Sequence, residues 1–345
     1  MVQPMCGDLI VREHSSQHYR TLFNRRTGFF VRKEEDGYLE PTWAMDGPEL
    51  IDLSITNYCE RGCAFCYRDT SKGNALFMSV EDVEKVATQA ETCGTMQIAL
   101  GGGNPNQHPQ FVEILRAISE RGIVPSYTTN GDGLNDKVLK ATATYCGAMA
   151  ISVYPPYDEE RYEKLLAHIK EYGITVNLHA IIKKDTLDMW TRWLKTPPSF
   201  FKYVNAVIFL NYKPVRGNEC AVDKVKVKSL FETVNQCQSV RIGFDSCNIS
   251  GIVRWLDTPV CMIEPCEAAR FSAFVSEDMK MYPCSFMAGK GYCGDMRKNT
   301  LHEIWQENEY FKRFRNDNAP EHCVGCGHYK ECRGGCRLFE EINFC

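Results

Sequence analysis

The sequence predicts an α/β protein with a parallel sheet or barrel, followed by a small cysteine-rich domain. From residue 50 onward, short apolar stretches alternate with longer segments of helical periodicity. After about residue 258 this alternation stops, and cysteines concentrate towards the end of the 345-residue chain. We therefore expect an N-terminal extension over residues 1–49, a barrel domain over 50–257 and a cysteine-rich domain over 258–345.

A series of strand–helix units predicts parallel strands joined by right-handed crossovers, with an active site at the C-terminal strand ends. The expected strands cover residues 50–56, 96–100, 123–129, 148–153, 174–182, 204–212 and 240–244. The expected helices cover residues 80–92 (with Ser79 as N-cap), 111–121, 136–145, 159–172, 186–195 and 222–238. Outside this series we expect a hairpin of residues 19–23 and 28–32, strands at 271–275 and 280–282, and one helix at 301–314.

The composition excludes several classes of protein. Hydrophobic residues make up 44% and charged residues 24%, which is typical of a folded globular chain. Forty basic residues against forty-four acidic ones give a net charge of −4, so there is no basic excess for nucleic acid. Apolar runs are short, as at 206–210, and the first residues are charged, which disfavours a membrane span and an export signal. We expect a cytoplasmic protein that binds neither nucleic acid nor membrane.

Cysteine is unusually abundant, with 18 residues in the chain. A disulfide scaffold is typical of short secreted domains, so clustered cysteines here indicate metal ligands. For most of the isolated ones we expect burial as small hydrophobic residues. These are Cys6, Cys93, Cys146, Cys220, Cys237, Cys247 and Cys293.

Three cysteines follow the first predicted strand with the spacing C-x3-C-x2-C, at Cys59, Cys63 and Cys66. Three thiolates can hold three irons of a [4Fe–4S] cube and leave the fourth iron open for another ligand. A zinc knuckle or a chance grouping is the alternative.

With Phe65 before the last cysteine and a strand before the loop, this motif resembles the radical S-adenosylmethionine (SAM) superfamily. The resemblance implies a partial (β/α)6 TIM-like barrel, with Cys59, Cys63 and Cys66 as cluster ligands and SAM bound to the open iron. It also implies reductive cleavage of SAM to a 5′-deoxyadenosyl radical that abstracts hydrogen from a substrate. Such enzymes need an electron donor such as flavodoxin or ferredoxin.

Further segments resemble the SAM-binding parts of this superfamily. Gly101, Gly102, Gly103 and Asn104 correspond to its Gly-Gly-Glu-Pro segment, with Asn104 in place of glutamate. A tight turn is the alternative for the glycine run, and we expect His108 to serve the start of a helix. By the same resemblance we expect SAM contacts from Phe65, Thr128, Asn130, Ser152 and Arg161, for which turn or cap roles are the alternative.

The last cysteines, Cys323, Cys326, Cys332 and Cys336, have the spacing C-x2-C-x5-C-x3-C, and a zinc ribbon is one interpretation. With the upstream cysteines, the arrangement resembles the SPASM extension, which holds two auxiliary [4Fe–4S] clusters. The resemblance assigns Cys261, Cys266, Cys284 and Cys336 to auxiliary cluster I, and Cys323, Cys326, Cys332 and Cys345 to auxiliary cluster II. Cys293 or Cys247 could replace the terminal Cys345.

Enzymes of this type mostly modify ribosomally made peptides or proteins, so we expect an oxidative peptide maturase, with a separate leader-binding protein as a possible partner. A small-molecule radical SAM dehydrogenase or biosynthetic enzyme is the alternative. A non-catalytic zinc or iron–sulfur interaction module is the alternative of another class, and the open position of the first cysteine group argues against it. No catalytic acid or base can be named. The candidates are Tyr67, Asp69, Tyr154, Asp185, Tyr212 and Asp245, each with a structural role as the alternative.

Overall fold

The computed structural model describes residues 8–68, 73–215, 217, 219–291, 293–316 and 319–345. Cys6 and Asp69 lie outside these residues. The described chain divides into two compact units. The first unit contains the residues up to Ala150, together with Tyr172–Thr175 and Ala268–Asn316, and the second contains Ile151–Glu171, Val176–Glu267 and the described residues after Asn316. The domain bounds at 49/50 and 257/258 stay predictions.

Strands and helices alternate through the middle of the chain, which confirms the α/β class. The strands are β1 (Leu9–His14), β2 (Tyr19–Asn24), β3 (Phe30–Glu34), β4 (Leu50–Thr56), β5 (Gln97–Gly102), β6 (Val124–Thr129), β7 (Met149–Ser152), β8 (Val176–Ile182), β9 (Ala206–Asn211), β10 (Arg241–Phe244), β11 (Ser272–Val275), β12 (Lys280–Tyr282) and β13 (Gly294–Asp295). The helices are α1 (Val80–Thr92), α2 (Phe111–Glu120), α3 (Asp136–Tyr145), α4 (Glu159–Glu171), α5 (Leu187–Lys195), α6 (Lys224–Gln236), α7 (Ile249–Trp255), α8 (Leu301–Glu307), α9 (Glu309–Arg315) and α10 (Tyr329–Cys332).

Local signals explain where several elements begin. The Ser79 hydroxyl accepts a hydrogen bond from the Asp82 amide at 3.1 Å and so caps α1. Asn135 caps α3 in the same way, through the Val138 amide at 3.1 Å. The bounds of β4, α1 and α3 agree with the sequence prediction.

The main sheet of the first unit has the strand order β6-β5-β4-β11-β12-β13. Strands β4, β5 and β6 are parallel, and β11 adds to β4 in parallel, with Ser272 opposite Leu50. The C-terminal ends of the parallel strands therefore share one edge of this sheet, where ligand sites of such folds form.

The second unit contains the parallel strands β8, β9 and β10. Their C-terminal ends lead to two polar residues, Asn211 on β9 and Asp245 after β10. The Asn211 amide donates to the Asp245 carboxylate at 3.2 Å. This edge of the second unit is therefore polar and ordered by hydrogen bonds.

The N-terminal extension forms a three-stranded antiparallel sheet. Strands β2 and β3 pair with Phe23 opposite Phe30, which confirms the predicted hairpin. Strand β1 was not predicted, because its alternation of apolar and polar residues is short and begins close to the end of the chain.

The single helix predicted at 301–314 is wrong, since α8 ends before Asn308 and α9 begins after it. Asn308 has φ −66° and ψ 125°, which is extended backbone, and its side chain accepts from the Tyr310 amide at 3.0 Å. An asparagine at this point favours a new N-cap over continuation of the helix. Among the described residues, no helix has the length and apolarity that crossing a membrane requires.

Candidate functional site

The first cysteine loop follows β4, and the structure brings its three thiols close together. The Cys66 amide donates to the Cys63 carbonyl at 3.0 Å. Burial raises the pKa of the Cys63 thiol, while the positive charge of Arg61 opposes that shift. The charges of the neighbouring Cys59 and Cys66 contribute to raising the pKa of Cys63. A metal bound here would therefore displace a proton from Cys63.

The glycine segment at the end of β5 packs against this loop. The amides of Gly103 and Asn104 donate to the carbonyls of Thr56 and Tyr58, both at 2.7 Å. A Cβ on Gly103 would stand 1.9 Å from the Tyr58 carbonyl oxygen, so the loop leaves no room for a side chain there. A Cβ on Gly101 would meet nothing within 4 Å. Gly103 is therefore required by protein packing, whereas Gly101 leaves space open.

Asn104 is almost completely buried and links the ends of two strands. Its side-chain oxygen accepts from the Thr129 hydroxyl at 2.8 Å and from the Asn130 amide at 3.2 Å. Its amide nitrogen donates to the Asp132 carbonyl at 2.9 Å. Both lone pairs of the oxygen are thus engaged within the protein, so a direct bond from Asn104 to an ammonium would require one of them to break.

Asn130 lies at the C-terminal end of β6, beside the cysteine loop. Its side-chain amide reaches the Cys59 sulfur at 3.9 Å. Phe65 and Thr128 are half-buried in the same unit. The structure therefore brings Asn130 to the cysteines, and the SAM contacts of all three residues stay predictions.

Ser152 and Arg161 belong to the second unit. Ser152 ends β7 and is buried, and Arg161 lies in the first turn of α4, where its amide donates to the Asp158 carboxylate at 3.1 Å. Their contact with SAM stays a prediction.

His108 is a structural histidine, as expected. Its Nδ1 accepts from the Gln110 amide at 3.0 Å, which leaves the proton on Nε2 to be donated to the Met78 carbonyl at 2.9 Å. Burial lowers the pKa of His108, which keeps the ring neutral.

The second unit gathers the predicted ligands of auxiliary cluster II. Burial raises the pKa of Cys332 to about 11, and the charges of Cys345 and Cys323 contribute to that shift. Burial raises the pKa of Cys323 as well, and the charge of Cys326 contributes there. These four cysteines lie within 23 residues of the chain.

The predicted ligands of auxiliary cluster I are distributed differently. Cys266 and Cys336 belong to the second unit and Cys284 to the first, while Cys261 is exposed. Cys336 has a hydrogen bond with Cys247, a residue that we had expected to be an isolated core cysteine or a replacement for Cys345 in auxiliary cluster II. That bond raises the pKa of Cys247 and lowers the pKa of Cys336 to about 6, so Cys247 is the donor.

The expectation of burial for most isolated cysteines is only partly met. Cys93 and Cys146 are buried, and burial raises the pKa of Cys93 to about 12. Cys220, Cys237, Cys247 and Cys293 are half-buried. The sequence signal for Cys247 was its place directly after β10, at a C-terminal strand end where functional residues concentrate.

The candidate acids and bases include one residue with a clear structural role. Asp245 accepts from Lys213 at 2.6 Å and from the Asn248 side chain at 2.6 Å. Burial alone would lower the pKa of Lys213, but the Asp245 carboxylate raises it above its ordinary value. Asp245 is therefore bound in an ion pair.

These donor sets fit iron–sulfur clusters, for which cysteine thiolates are the usual ligands. Among the residues that the structure describes, no group of three or more His, Cys, Asp or Glu side chains is arranged to hold a metal ion. Cysteine is also a ligand of zinc, so the metal content of the purified protein decides between the two interpretations.

Two family models match the chain. The radical SAM superfamily model matches residues 53–196, which include Cys59, Cys63 and Cys66. The SPASM model, described as an iron–sulfur cluster-binding domain, matches residues 266–327. Cys332, Cys336 and Cys345 lie beyond the matched residues.

Three curated relatives match most of the chain. The PqqA peptide cyclase of Ruegeria pomeroyi is 22% identical over 86% of this chain and 84% of its own length. The mycofactocin maturase MftC of Mycolicibacterium smegmatis is 20% identical over 85% of this chain and 79% of its own. The AdoMet-dependent heme synthase of Methanosarcina barkeri is 22% identical over 85% and 92%.

Solved structures share the fold. SuiB of Streptococcus suis, crystallised with S-adenosylmethionine, superposes with a TM-score of 0.76 at 16% identity, over 97% of this chain and 96% of that one. At this identity the likeness concerns the fold, and it agrees with the predicted radical SAM architecture. The family models lead to the conclusion that the chain carries a radical SAM domain over residues 53–196 and a SPASM iron–sulfur cluster-binding domain over residues 266–327.

Proposed function

We propose that this protein is a radical SAM maturase that oxidatively modifies a ribosomally made peptide or protein, by a crosslink or a side-chain oxidation. The observation that carries the proposal is the match to a peptide cyclase over 86% of the chain. The similarity to a mycofactocin maturase over 85% of the chain supports the same substrate class.

The first cysteine loop would hold the cluster that binds SAM, with Cys59, Cys63 and Cys66 as its ligands. When bound, this cluster and SAM supply a 5′-deoxyadenosyl radical that abstracts a hydrogen atom from the substrate. The chain's own contribution is to position that centre. The Gly103 and Asn104 amides hold the loop backbone at 2.7 Å, and Asn130 approaches the Cys59 sulfur at 3.9 Å. A flavodoxin or ferredoxin is the proposed electron donor.

The cysteines of the C-terminal segments would hold two auxiliary clusters. This donor set favours a net oxidation of the substrate, because an oxidation needs a place for the electron that leaves. The four thiols of Cys323, Cys326, Cys332 and Cys345 support the second of these clusters, since they lie together in the second unit.

The heme synthase relative favours a second candidate function. The match covers 85% of this chain and 92% of the heme synthase. This share of the chain is about as large as the share that the peptide cyclase matches, so a small-molecule substrate is the second candidate. The experiment below separates the two.

The test is a reaction under anaerobic conditions with protein reconstituted with iron and sulfide, SAM, a reductant and candidate substrates. The candidate peptide is the product of a short reading frame beside the gene, supplied with and without a separate leader-binding protein if one is encoded there. We expect 5′-deoxyadenosine to form and the peptide to lose a pair of hydrogen atoms in mass spectrometry. The Cys63→Ala variant is the control and should form neither product.

If 5′-deoxyadenosine forms but no peptide changes mass while a tetrapyrrole does, the small-molecule function replaces the peptide function. If the purified protein takes up zinc in place of iron, the radical function is wrong.

A further inference from the structure

A basic patch lies on the surface of the second unit, at the start of α6. Lys224, Lys226 and Lys228 are exposed, and Val225 among them is 76% exposed. These four residues are named the α6 patch. The exposed Glu232 carboxylate lies 3.9 Å from the Lys228 ammonium, and an exposed pair of this kind contributes little. The α6 patch therefore presents positive charge and one apolar side chain to solvent.

The stability of the helix does not explain the lysines. The positive end of the helix dipole lies at the N-terminus, so a lysine in the first turn is unfavourable there. Other helices of the chain begin with acidic residues, as α1 does with Glu81 and α4 with Glu159, whereas the first four residues of α6 are Lys-Val-Lys-Val. The Asp223 carboxylate caps α6 by accepting from the Val225 amide at 2.7 Å, and it balances one positive charge of three. The lysines therefore serve a purpose other than the folding of α6.

The α6 patch lies against a residue that the sequence resemblance assigns to auxiliary cluster II. The Lys224 ammonium donates to the main-chain oxygen of Cys345 at 2.7 Å. Lys228 lies one turn further along the same face of the helix. Both segments belong to the second unit. A cluster held by Cys345 would therefore lie beside this patch.

Packing fixes the chain at this position. The ring of Phe344 lies 6.5 Å from the ring of Phe231 on α6, and the Phe344 amide donates to the Ser250 hydroxyl at 2.9 Å. A Cβ on Gly251 would meet both rings at 2.9 Å, so the two rings and α7 are closely packed. Cys345 is thus held beside α6 by its buried neighbour as well as by the lysine.

The charge of the patch favours an acidic partner. The whole chain carries a net charge of −4, so a strongly acidic protein needs a local positive surface in order to approach it. The proposed oxidation also releases one electron, which has to pass to a carrier. Flavodoxins are acidic one-electron carriers, and the exposed edge of their flavin is apolar. Lysines around an exposed valine complement that surface in both charge and polarity.

We propose that the α6 patch is the docking surface for a flavodoxin that takes up the electron released by the oxidation. One electron passes from auxiliary cluster II to the flavin, so the cluster is oxidised, the flavin is reduced, and no covalent bond forms or breaks. The inference rests on the proposed oxidative function.

The test measures the affinity of purified flavodoxin, carrying flavin mononucleotide, for the full-length chain by isothermal titration calorimetry. The chain is reconstituted without oxygen, and a fully loaded chain holds about twelve irons, as three cubes require. The double variant Lys226→Glu, Lys228→Glu reverses two charges of the patch and leaves the Lys224 contact with Cys345 in place. Iron content and circular dichroism show whether each variant is loaded and folded.

Two further variants are the controls. Lys137→Glu with Lys140→Glu makes the same change of charge on α3 of the first unit, where both lysines are exposed. Lys226→Arg with Lys228→Arg keeps the positive charge of the α6 patch.

We expect the glutamate variant of the patch to bind flavodoxin about tenfold more weakly than wild type at low salt, and both controls to bind as wild type does. The difference should shrink at about 0.5 M salt, which screens exposed charges. Protein reduced with dithionite, then freed of the excess, should reduce the flavin about tenfold more slowly in the glutamate variant when stopped-flow absorbance is followed at low salt.

Wild-type affinity for flavodoxin in the folded and loaded glutamate variant would overturn the proposal, as would an equal loss in the α3 control. A variant that loses the binding of a ferredoxin or of the candidate peptide, and keeps that of flavodoxin, would also overturn it. A wild-type protein that binds flavodoxin through the patch but oxidises no substrate would support the docking surface and remove the proposed oxidation.

Discussion

Asn104 shows how a single side chain can depart from a family motif without weakening the site around it. The related motif has glutamate at this position, and a carboxylate has no hydrogen to donate at neutral pH. Asn104 donates to the Asp132 carbonyl at 2.9 Å while it accepts from Thr129 and Asn130. The amide therefore binds the ends of β5 and β6 together in a way that glutamate could not.

The glycine segment supports a prediction about cluster loading. Gly103→Ala should lose the iron of the SAM-binding cluster, because its Cβ would stand 1.9 Å from the Tyr58 carbonyl oxygen and displace the cysteine loop. We expect iron to fall from about twelve to about eight per chain. Gly101→Ala is the matched control and should keep all of its iron, since nothing lies within 4 Å of that Cβ.

The same pair of variants also tests whether Gly101 faces SAM. If it does, Gly101→Ala should bind SAM more weakly by equilibrium dialysis, while the iron content stays at the wild-type value. Equal iron loss in Gly101→Ala and Gly103→Ala would show that the close approach of Gly103 to the loop is not the cause of the iron loss.

Asn130 supports a second prediction, on reduction potential. Hydrogen bonds to the sulfurs of an iron–sulfur cluster raise its potential by stabilising the reduced, more negative state. Asn130→Ala removes the amide that lies 3.9 Å from the Cys59 sulfur, so the potential of that cluster should become more negative. The measurement is a redox titration monitored by electron paramagnetic resonance. Asn130→Ala with wild-type iron content and an unchanged potential would contradict this role.

At the scale of elements, a buried ion pair connects the first cysteine loop to the turn after β11. Arg68 and Glu277 meet at 2.6 Å with side chains only 8% and 10% exposed, and the Ser54 hydroxyl donates to the same carboxylate at 2.6 Å. The Arg68 guanidinium also lies 5.0 Å from the Phe274 ring centre. Strand β4, the loop and the turn are thus held by one carboxylate.

Removal of the Glu277 carboxylate should lower the free energy of unfolding. Glu277→Ala leaves the Arg68 charge buried without its partner, which costs about 3–5 kcal/mol of unfolding free energy. The measurement is urea unfolding of the reconstituted protein, followed by circular dichroism. Glu160→Ala is the control, because it breaks the exposed pair with Lys164 on α4, and it should leave the transition unchanged. A loss in Glu277→Ala no larger than in the control would contradict the role of the pair.

Elements were predicted well where a local signal marked their ends. α1 begins at Ser79, the N-cap that the sequence predicted, and in the structure α3 begins at a second side-chain cap, Asn135. The helix at 301–314 was predicted as continuous because its apolar periodicity runs through Asn308. The break there depends on the competing cap that the same asparagine provides, which periodicity does not register.

At the scale of the whole molecule, the C-terminal segment has little regular structure of its own. From residue 319 onward it contains only α10 and short turns, with Phe339, Ile342 and Phe344 as its buried apolar tail. A segment of this kind depends on bound metal for much of its stability.

Chelation of iron should therefore destabilise residues 319–345 more than strands β4 and β5. We expect residues 319–345 to lose protection in hydrogen–deuterium exchange after the clusters are removed, while β4 and β5 keep theirs. The triple variant Cys59→Ala, Cys63→Ala and Cys66→Ala is the control, since it should lose only the first cluster and keep the tail protected. Equal protection of the tail with and without iron would show that packing alone holds it.

By itself, the sequence determined the α/β alternation, the bounds of β4, α1 and α3, and the cysteine motifs that carry the resemblance to radical SAM and SPASM enzymes. Those features are local, because periodicity, caps and short motifs are properties of neighbouring residues. Only the tertiary structure showed that β11 joins β4, that Gly103 packs on the first cysteine loop, and that Cys247 lies beside Cys336. These are contacts between residues far apart in the chain, and they depend on packing that no local pattern encodes.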